Sequence, residues 1–499
     1  MPAQILPFPQ ELRPPLPTIV GNVDYLTLRQ RLEQIDSLLI QGGVEEDFVQ
    51  RAHSCWKRAG SREPSALEQL KFQQRSRRAL RCTLLRTLLQ EDYRGFSCQL
   101  AGNPLYQWFC WIDALDQVRV PSKSELQRFA HWLPADQMRT ILDRLLRGAI
   151  EKPGKLRLKE ALDLEAYFLD GTCVKANIHF PTDWVLLRDA VRTLMKATLL
   201  IRRAGLRGRM RAPEEFLRRI NRLSIDMTQQ ARRAGSKKGR KRVLRQMKKL
   251  VGVVRGHARR HRELLDRQWE RTDWTRAQAQ QIVRRMDGVL EQLPRARKQA
   301  HERIIGARQV PNGEKLLSLY EPEVRVIVRG KAGAEVEFGN TVLLGENRQG
   351  VILDYRMFRE SAPADSQVLF ESLLRVREAT GRDVGSVVTD RGFYSATNSR
   401  TLREGDTFDA LCPRPPALLR QRMKEEKFAG LQRRRAQTEA RIGILKRNFL
   451  GQPMRAKGFE HRELALAWGV LTHNLWMLAR MRKAERKKKA NTVTLRQAA

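Results

Sequence analysis

Two stretches of this sequence end an apolar run on an aspartate: YFLDGT, with Asp170, and SVVTDRGF, with Asp390. A third acid, Glu439, lies in RRRAQTEARIGILKRN, where Arg435, Glu439, Ile442 and Lys446 recur at spacings of four, three and four. On a helix these four share one face, so the carboxylate is flanked by two cations. Taken singly, each acid has a plain explanation. Asp often closes a strand, and a Glu spaced four residues from an Arg is a surface ion pair worth about 0.3–0.5 kcal/mol. Taken together they fit another chemistry. Strands of one sheet can bring their ends side by side, and two adjacent carboxylates repel unless a divalent cation holds them. Hard oxygen ligands suit Mg²⁺, which accepts one or two carboxylates and fills its shell with water and substrate phosphate. A third carboxylate serves the second ion of a two-metal site, where the ions stand roughly 3.5–4 Å apart.

Charge says whose phosphate that would be. The 499 residues carry 95 Lys plus Arg against 55 Asp plus Glu, a formal net charge of +40. Such an excess attracts polyanions, nucleic acid above all. An anionic membrane is the competing polyanion, but no apolar run approaches the ~20 residues that a span requires. The basic residues concentrate in RRAGSKKGRKRVLRQMKKLVGVVRGHARRHR, and no Asp or Glu occurs between Ala231 and Arg262. That run would repel itself unless an anion neutralised it, so Lys237, Lys238, Arg240, Lys241 and Arg242 are read as phosphate contacts. Arg391, directly after Asp390, is a further candidate, with a simple pairing to Asp390 as the alternative. The six cysteines form no C-x-x-C pair and suit reduced thiols. The start, MPAQILPFPQELRPPLP, lacks the pattern of a secretory signal, so a cytoplasmic location is expected.

Positioning the acids takes an α/β core. EAYFLDGTCVKANIHFPTD reads as two strands, and KLLSLY, VRVIVRG, AEVEFGNTVLLGE and GVILDYRMF read as further strands separated by Gly- and Asn-bearing turns. DSQVLFESLLRVREATG is a helix, DVGSVVTD the strand that ends on Asp390, and FDAL a short strand. A long helix runs from about Leu431 to Asn448, and HRELALAWGVLTHNLWMLARMRKAER packs on the sheet. The division is an N-terminal helical segment 1–65, a helical DNA-binding domain 66–160, and a core of 161–190 and 310–483. A basic helical insertion, 191–309, interrupts that core, and a disordered basic tail, 484–499, ends the chain. Within the helical domain, Pro121-Ser122 and Pro134-Asp136 open two short helices. They fit a helix-turn-helix unit, although an ordinary bundle is the plainer reading. Asp183 and Asp354 are strand-adjacent acids and the alternative ligands to Asp170.

FLDGT, VVTDRGFYS and the spaced Arg435, Glu439 and Lys446 together resemble the three catalytic blocks of DDE-type transposases from bacterial insertion sequences. The resemblance spans roughly residues 70 to 480. It takes in the helical region from Leu84 to Pro134 and the segment VKANIHFPTDWVLLRD, which looks like the second-strand segment of one subgroup. It implies a ribonuclease-H-like mixed sheet with Asp170 after its first strand, Asp390 after its fourth and Glu439 on a later helix. These three would be catalytic residues and metal ligands, with Arg435 and Lys446 on phosphate. Mg²⁺ is the implied cofactor, with Mn²⁺ as a substitute. Double-stranded DNA, as transposon ends and target, is the implied partner, bound by a homodimer near the nucleoid. Many members carry a Tyr before the Arg of the third block; here that position is Gln432. Many also carry an insertion between the second Asp and the Glu, whereas the long interval here lies between the two Asps. The alternatives are a metal-dependent nuclease of the same core that does not join strands, and a non-catalytic or domesticated DNA-binding protein.

Overall fold

The computed structural model describes residues 13, 16, 22–59, 63–112, 118–232, 235–331 and 334–483. Most of the Pro-rich start and the tail 484–499 lie outside the described residues. The helical N-terminal part contains α1 (Val23–Gln41), α2 (Val44–Ala59), α3 (Ala66–Leu89), α4 (Tyr93–Gly102), α5 (Pro104–Cys110), α6 (Lys123–Ala130) and α7 (Ala135–Glu151). Local chemistry sets its boundaries. Gly43, at φ +66, separates α1 from α2. Ser65 and Glu68 form a reciprocal cap on α3, and Ser122 caps α6.

Next come β1 (Tyr167–Lys175), α8 (Asp183–Arg203), α9 (Pro213–Arg232), α10 (Lys237–Gln268) and α11 (Arg276–Ala300). They are followed by β2 (Arg325–Lys331), β3 (Ala334–Asn347), β4 (Ile352–Met357), α12 (Asp365–Thr380), β5 (Ser386–Thr389) and α13 (Ala396–Glu404). The described chain closes with β6 (Phe408–Leu411), α14 (Pro416–Arg422), α15 (Glu426–Leu445) and α16 (Phe459–Met481). The protein is thus mixed α/β around one mixed sheet. β3 pairs antiparallel with β1 along one edge and with β2 and β4 along the other. β1 pairs parallel with β5, and β5 parallel with β6.

Two expected strands are absent. Beyond Lys175 only Ala176 makes a bridge, to Met454, before the chain turns into α8. Residues 315–320 form no strand either. Leu316 and Leu319 are buried in the core of the inserted helices, and Leu317 in a small cluster with Ala176 and Val324. Their apolar alternation records burial rather than pairing. The candidate helix-turn-helix is part of a bundle. α7 buries Met138, Ile141, Leu142, Leu145 and Leu146 and packs on α2, α12 and α16. Its exposed positions, Asp136, Thr140, Arg144, Arg147 and Glu151, form a single stripe opposite that packed face.

Two large cores result. One joins the N-terminal helices, the sheet, α12 and α16, with Leu38, Leu85, Ile141, Tyr167, Leu369 and Trp468 among its members. The other belongs to α8–α11 alone, around Leu187, Leu194, Met247, Val254, Met286 and Leu293. The inserted helices are therefore a bundle with its own hydrophobic interior. Their root is fixed by polar contacts. Buried Asp183 accepts hydrogen bonds from Gln299 Nε2 (2.8 Å) and from Arg303 (2.9 Å), while Gln299 Oε1 accepts the Leu316 N–H (2.7 Å).

Candidate metal and phosphate site

Strand register brings the two aspartates together. Tyr167 lies opposite Val387 and Phe168 opposite Val388 across the parallel pair. Carried two residues further, the same register sets Asp170 level with Asp390. Asp170 is not at a strand end, as its neighbour Gly171 had suggested. It sits within β1, opposite Leu344 of β3, and the strand runs on to Lys175. What ends near Asp170 is the pairing with β5, which opens that edge of β1.

Side chains alternate across a strand, so Phe168, Asp170 and Thr172 share one face. α15 covers that face. Phe168 packs with Phe428 and Leu431, and the Arg434 guanidinium lies 4.7 Å from the Phe168 ring centre. Thr438 donates to Glu346 of β3 at 2.9 Å, and Gln432 donates its amide to Ala410 O (2.7 Å) and Thr389 O (3.3 Å). Gln432, at the position where the resemblance implies Tyr, thereby fastens α15 to the ends of β5 and β6.

The predicted stripe on α15 then meets β1. Arg435 Nη1 stands 4.0 Å from Asp170 Oδ2, and Lys446, in the π-type turn that continues α15, donates to Thr172 Oγ1 at 3.2 Å. The Arg435 Nε is buried and has no hydrogen-bond partner among the described residues. Glu439 is exposed between them, with no hydrogen bond or ion pair among the described residues. The Asp170 side chain is 14% exposed. Its carboxyl is pushed up to about 6, first by burial and then by the charge of Asp390. Arg435 and the Gly171 N–H pull it down, and Glu439 adds a further push. Asp390 turns Oδ1 onto the Gly392 N–H at 2.8 Å, which closes the turn after β5. Arg391 is exposed and makes no ion pair with Asp390 among the described residues.

A fourth acid, Asp365, was not legible as a site residue. It opens α12 on the opposite face of the sheet and reaches across to Asp390. A Cβ built on Gly392 would strike the Asp365 carboxylate and lie 3.0 Å from Asp390 Oδ1, so a larger residue there would push the two carboxylates aside. Burial and then Asp390 hold the Asp365 carboxyl above the ordinary range. In sequence it is one more acid in the first turn of a helix, the place where acids are commonest. Arg414 was also missed. It donates to Arg391 O (3.1 Å) and Gly392 O (3.2 Å) and braces the turn that carries Asp390.

The other candidates lie elsewhere. Asp183 is the root of the insertion. Asp354, fully buried, is held by Arg139, Arg375 and Ser372. Burial alone would raise the Asp354 carboxyl, but these partners outweigh it and leave it below the ordinary range. Lys237, Lys238, Arg240, Lys241 and Arg242 lie at the start of α10, in the inserted bundle. Lys237, Lys238 and Arg242 are exposed, and Arg240 and Lys241 half-buried.

Among the described residues, no three His, Cys, Asp or Glu side chains converge closely enough to enclose one ion as they stand. A two-metal arrangement does not require that, because each ion takes one or two protein carboxylates and completes its shell with phosphate and water. Asp170 on β1 and Asp390 in the turn that follows β5, each adding charge against the other, fit such a half-shell. The partly exposed Arg435 guanidinium, 4.0 Å from Asp170, suits the phosphate. The chain matches no protein-family model, no curated protein and no solved structure.

Proposed function

We propose that the chain is a Mg²⁺-dependent DNA transposase of the DDE type, which cuts transposon ends and joins the freed 3′-OH to target DNA. The observation that carries this reading is the β1–β5 register, with Asp170 and Asp390 level beneath the helix that bears Arg435, Glu439 and Lys446. Strand order supports it. Antiparallel β4–β3–β1 followed by parallel β5 and β6 is the order of a ribonuclease-H-like sheet, with β2 as an added hairpin strand.

Asp170 and Asp390 would hold one ion, and Asp170 with Glu439 the other. Mg²⁺, or Mn²⁺ in its place, supplies Lewis acidity for an in-line displacement at phosphorus. The protein's own groups do the positioning. Arg435 and Lys446 hold phosphate oxygens on either side of the scissile bond, and Arg435 also steadies Asp170 as the anion. Arg391 contacts phosphate from the exposed turn that Arg414 braces. No Ser, Tyr or Cys nucleophile is called for. Water displaces the 3′ oxygen, and that 3′-OH then attacks a target phosphate and displaces the target strand's own 3′ oxygen. Two copies would synapse the two ends.

Short inverted repeats are expected in the DNA flanking the gene and would supply the test substrate. On such a duplex the wild type is expected to nick and join with Mg²⁺ present. Asp170→Ala, Asp390→Ala and Glu439→Ala are expected to bind the ends without cutting. Normal cutting by Glu439→Ala overturns the triad. Cutting without joining selects a nuclease of the same core, and no metal-dependent nicking at all selects a DNA-binding protein without catalysis.

A further inference from the structure

The inserted bundle has one face unlike the rest. α10 buries Val243, Leu244, Met247, Leu250, Val251 and Val254 in the bundle core. Its opposite side presents Lys238, Arg242, Arg245 and Lys249, all exposed and spaced four, three and four. At 100° per residue that line continues through Gly252, Val253 and Gly256 to Arg259 and Arg260. With a rise of 1.5 Å per residue the stripe is about 33 Å long, close to one turn of a DNA double helix. Neighbouring helices mix signs, with Glu214, Glu215 and Asp226 on α9 and Asp287 and Glu291 on α11. Ion pairing on α10 begins only at Arg262, with Asp266 and Asp287. Lys238, Arg242, Arg245, Lys249 and Arg259 have no hydrogen bond or ion pair among the described residues.

A solvated charged face is the ordinary explanation for such a stripe, but two features oppose it, and a third sets a membrane surface aside. α10 opens with Lys237 and Lys238 at the positive end of its own dipole and no acid in its first turn, an arrangement that weakens the helix unless an anion is near. Gly252 and Gly256 sit in mid-helix, where glycine is costly, and a Cβ at either would meet nothing within 4 Å. Packing in the bundle therefore does not explain them, whereas the close approach of another molecule does. The face is also short of apolar residues, with only Val253 exposed, so it lacks what a membrane-surface helix inserts.

We propose that the outer face of α10 is a second nucleic-acid surface, on which the backbone of a double helix lies along the stripe from Lys238 to Arg260. Phosphates rest on Lys238, Arg242, Arg245 and Lys249, and the duplex comes closest over Gly252 and Gly256. The choice of duplex DNA rests on the proposed function; the surface itself does not require the protein to be catalytic.

Fluorescence anisotropy of the full chain with a labelled duplex of arbitrary sequence, titrated over a range of salt, tests this. Combining Lys238→Gln, Arg242→Gln, Arg245→Gln and Lys249→Gln is expected to flatten the slope of log affinity against log salt by about 3 to 4, and to cost at least about a hundredfold in affinity at low salt. Arg242→Lys with Arg245→Lys keeps the charge and is expected to keep the slope. Gly252→Leu with Gly256→Leu adds no charge and is expected to weaken binding about tenfold or more, with helix content by circular dichroism unchanged or raised. Unchanged affinity and slope in the four-residue variant overturn the proposal, as does binding to anionic vesicles but not to the duplex. Unchanged affinity in the glycine variant overturns the close approach. If the slope falls as expected but the wild type never cuts DNA, the catalytic reading fails and the surface stands. If the wild type cuts and the four-residue variant binds and cuts like it, the surface fails and the catalytic reading stands.

Discussion

At the β1–β5 junction, like charges are negative, largely buried and fixed on a sheet; along α10 they are positive, exposed and carried on a helix. Burial decides how much each arrangement matters. Burial first, and the charge of Asp390 next, raise the Asp170 carboxyl to about 6, with a smaller push from the exposed Glu439. Along α10, water and salt screen each pair, and the apolar face in the bundle core outweighs what remains. The first place should therefore respond strongly to the loss of one charge. The second should respond to the sum of several. Both are stresses that a ligand relieves, a cation in one case and a polyanion in the other, and a metal-bound nucleic acid offers both.

The sharpest way to break this contrast is to remove one charge from each place. Asp390→Asn is expected to lower metal-dependent cleavage by more than the roughly 10–100-fold typical of outer partners to a metal, while the salt slope of duplex binding stays as in the wild type. Arg245→Gln is expected to reduce that slope by about 0.9. If Asp390→Asn changes the slope and not the cleavage, the two regions have been assigned the wrong way round.

The two places were also unequally legible. The stripe Arg435, Glu439, Lys446 could be read directly, because helical periodicity and local spacing are the same information. The basic run needed only composition. Asp170 and Asp390 were found as acids after apolar runs, but their being level depends on which strands pair, and pairing is set by residues far apart in sequence. Asp365 was missed for the same reason. Its neighbour is Asp390 only because α12 packs on one face of the sheet while α15 covers the other. The second strand expected within 165–183 and the strand expected at 315–320 failed differently. Leu316, Leu317 and Leu319 are apolar because they are buried between the bundle and the sheet, and alternation alone does not tell a strand from an extended segment under other elements.

Protonation offers a second test of the site. A carboxyl whose folded value, about 6, lies above its ordinary value of 3.8 favours folding while it is protonated. That contribution is complete below the lower value and is lost as pH rises through the upper one. Metal-free protein is therefore expected to melt at a slightly lower temperature near pH 7.5 than near pH 5.5, with Asp170 responsible for about 0.8 kcal/mol of the difference. Asp143, also raised to about 6 by burial, titrates in the same direction, so the comparison must be made against Asp170→Asn. The variant should flatten the pH dependence by the Asp170 share, and Mg²⁺ should stabilise the wild type more than the variant near pH 7.5. Equal pH profiles for the two proteins would mean that the Asp170 carboxyl is not raised by its burial and by Asp390.

The joint between the two regions should respond less. Asp183→Ala removes the acceptor for Gln299 and Arg303, but Gln299 keeps its bond to Leu316 O at 3.0 Å and Arg303 is partly solvated. A loss of about 1–2 kcal/mol is expected, confined to the rooting of α8 and α11. Hydrogen exchange should rise near residues 183–190 and 299–316 and stay unchanged in β1 and β5. Exchange that rises across the sheet as well would mean that the bundle does not fold around a core of its own.

The smallest effect concerns two glycines of the bundle. Gly252 on α10 and Gly288 on α11 both lie exposed in helix interiors, where an added methyl group meets nothing. By helix propensity alone, Gly252→Ala and Gly288→Ala should each stabilise the bundle by about 0.5–1 kcal/mol, read as a small rise in its melting temperature. Stability therefore gives the chain no reason to keep either glycine. If the α10 face receives a duplex backbone, the two substitutions diverge in binding. Gly288→Ala should leave duplex affinity unchanged, whereas Gly252→Ala should lower it slightly in spite of the firmer helix. Equal affinities for the two variants would leave charge as the whole basis of the α10 surface.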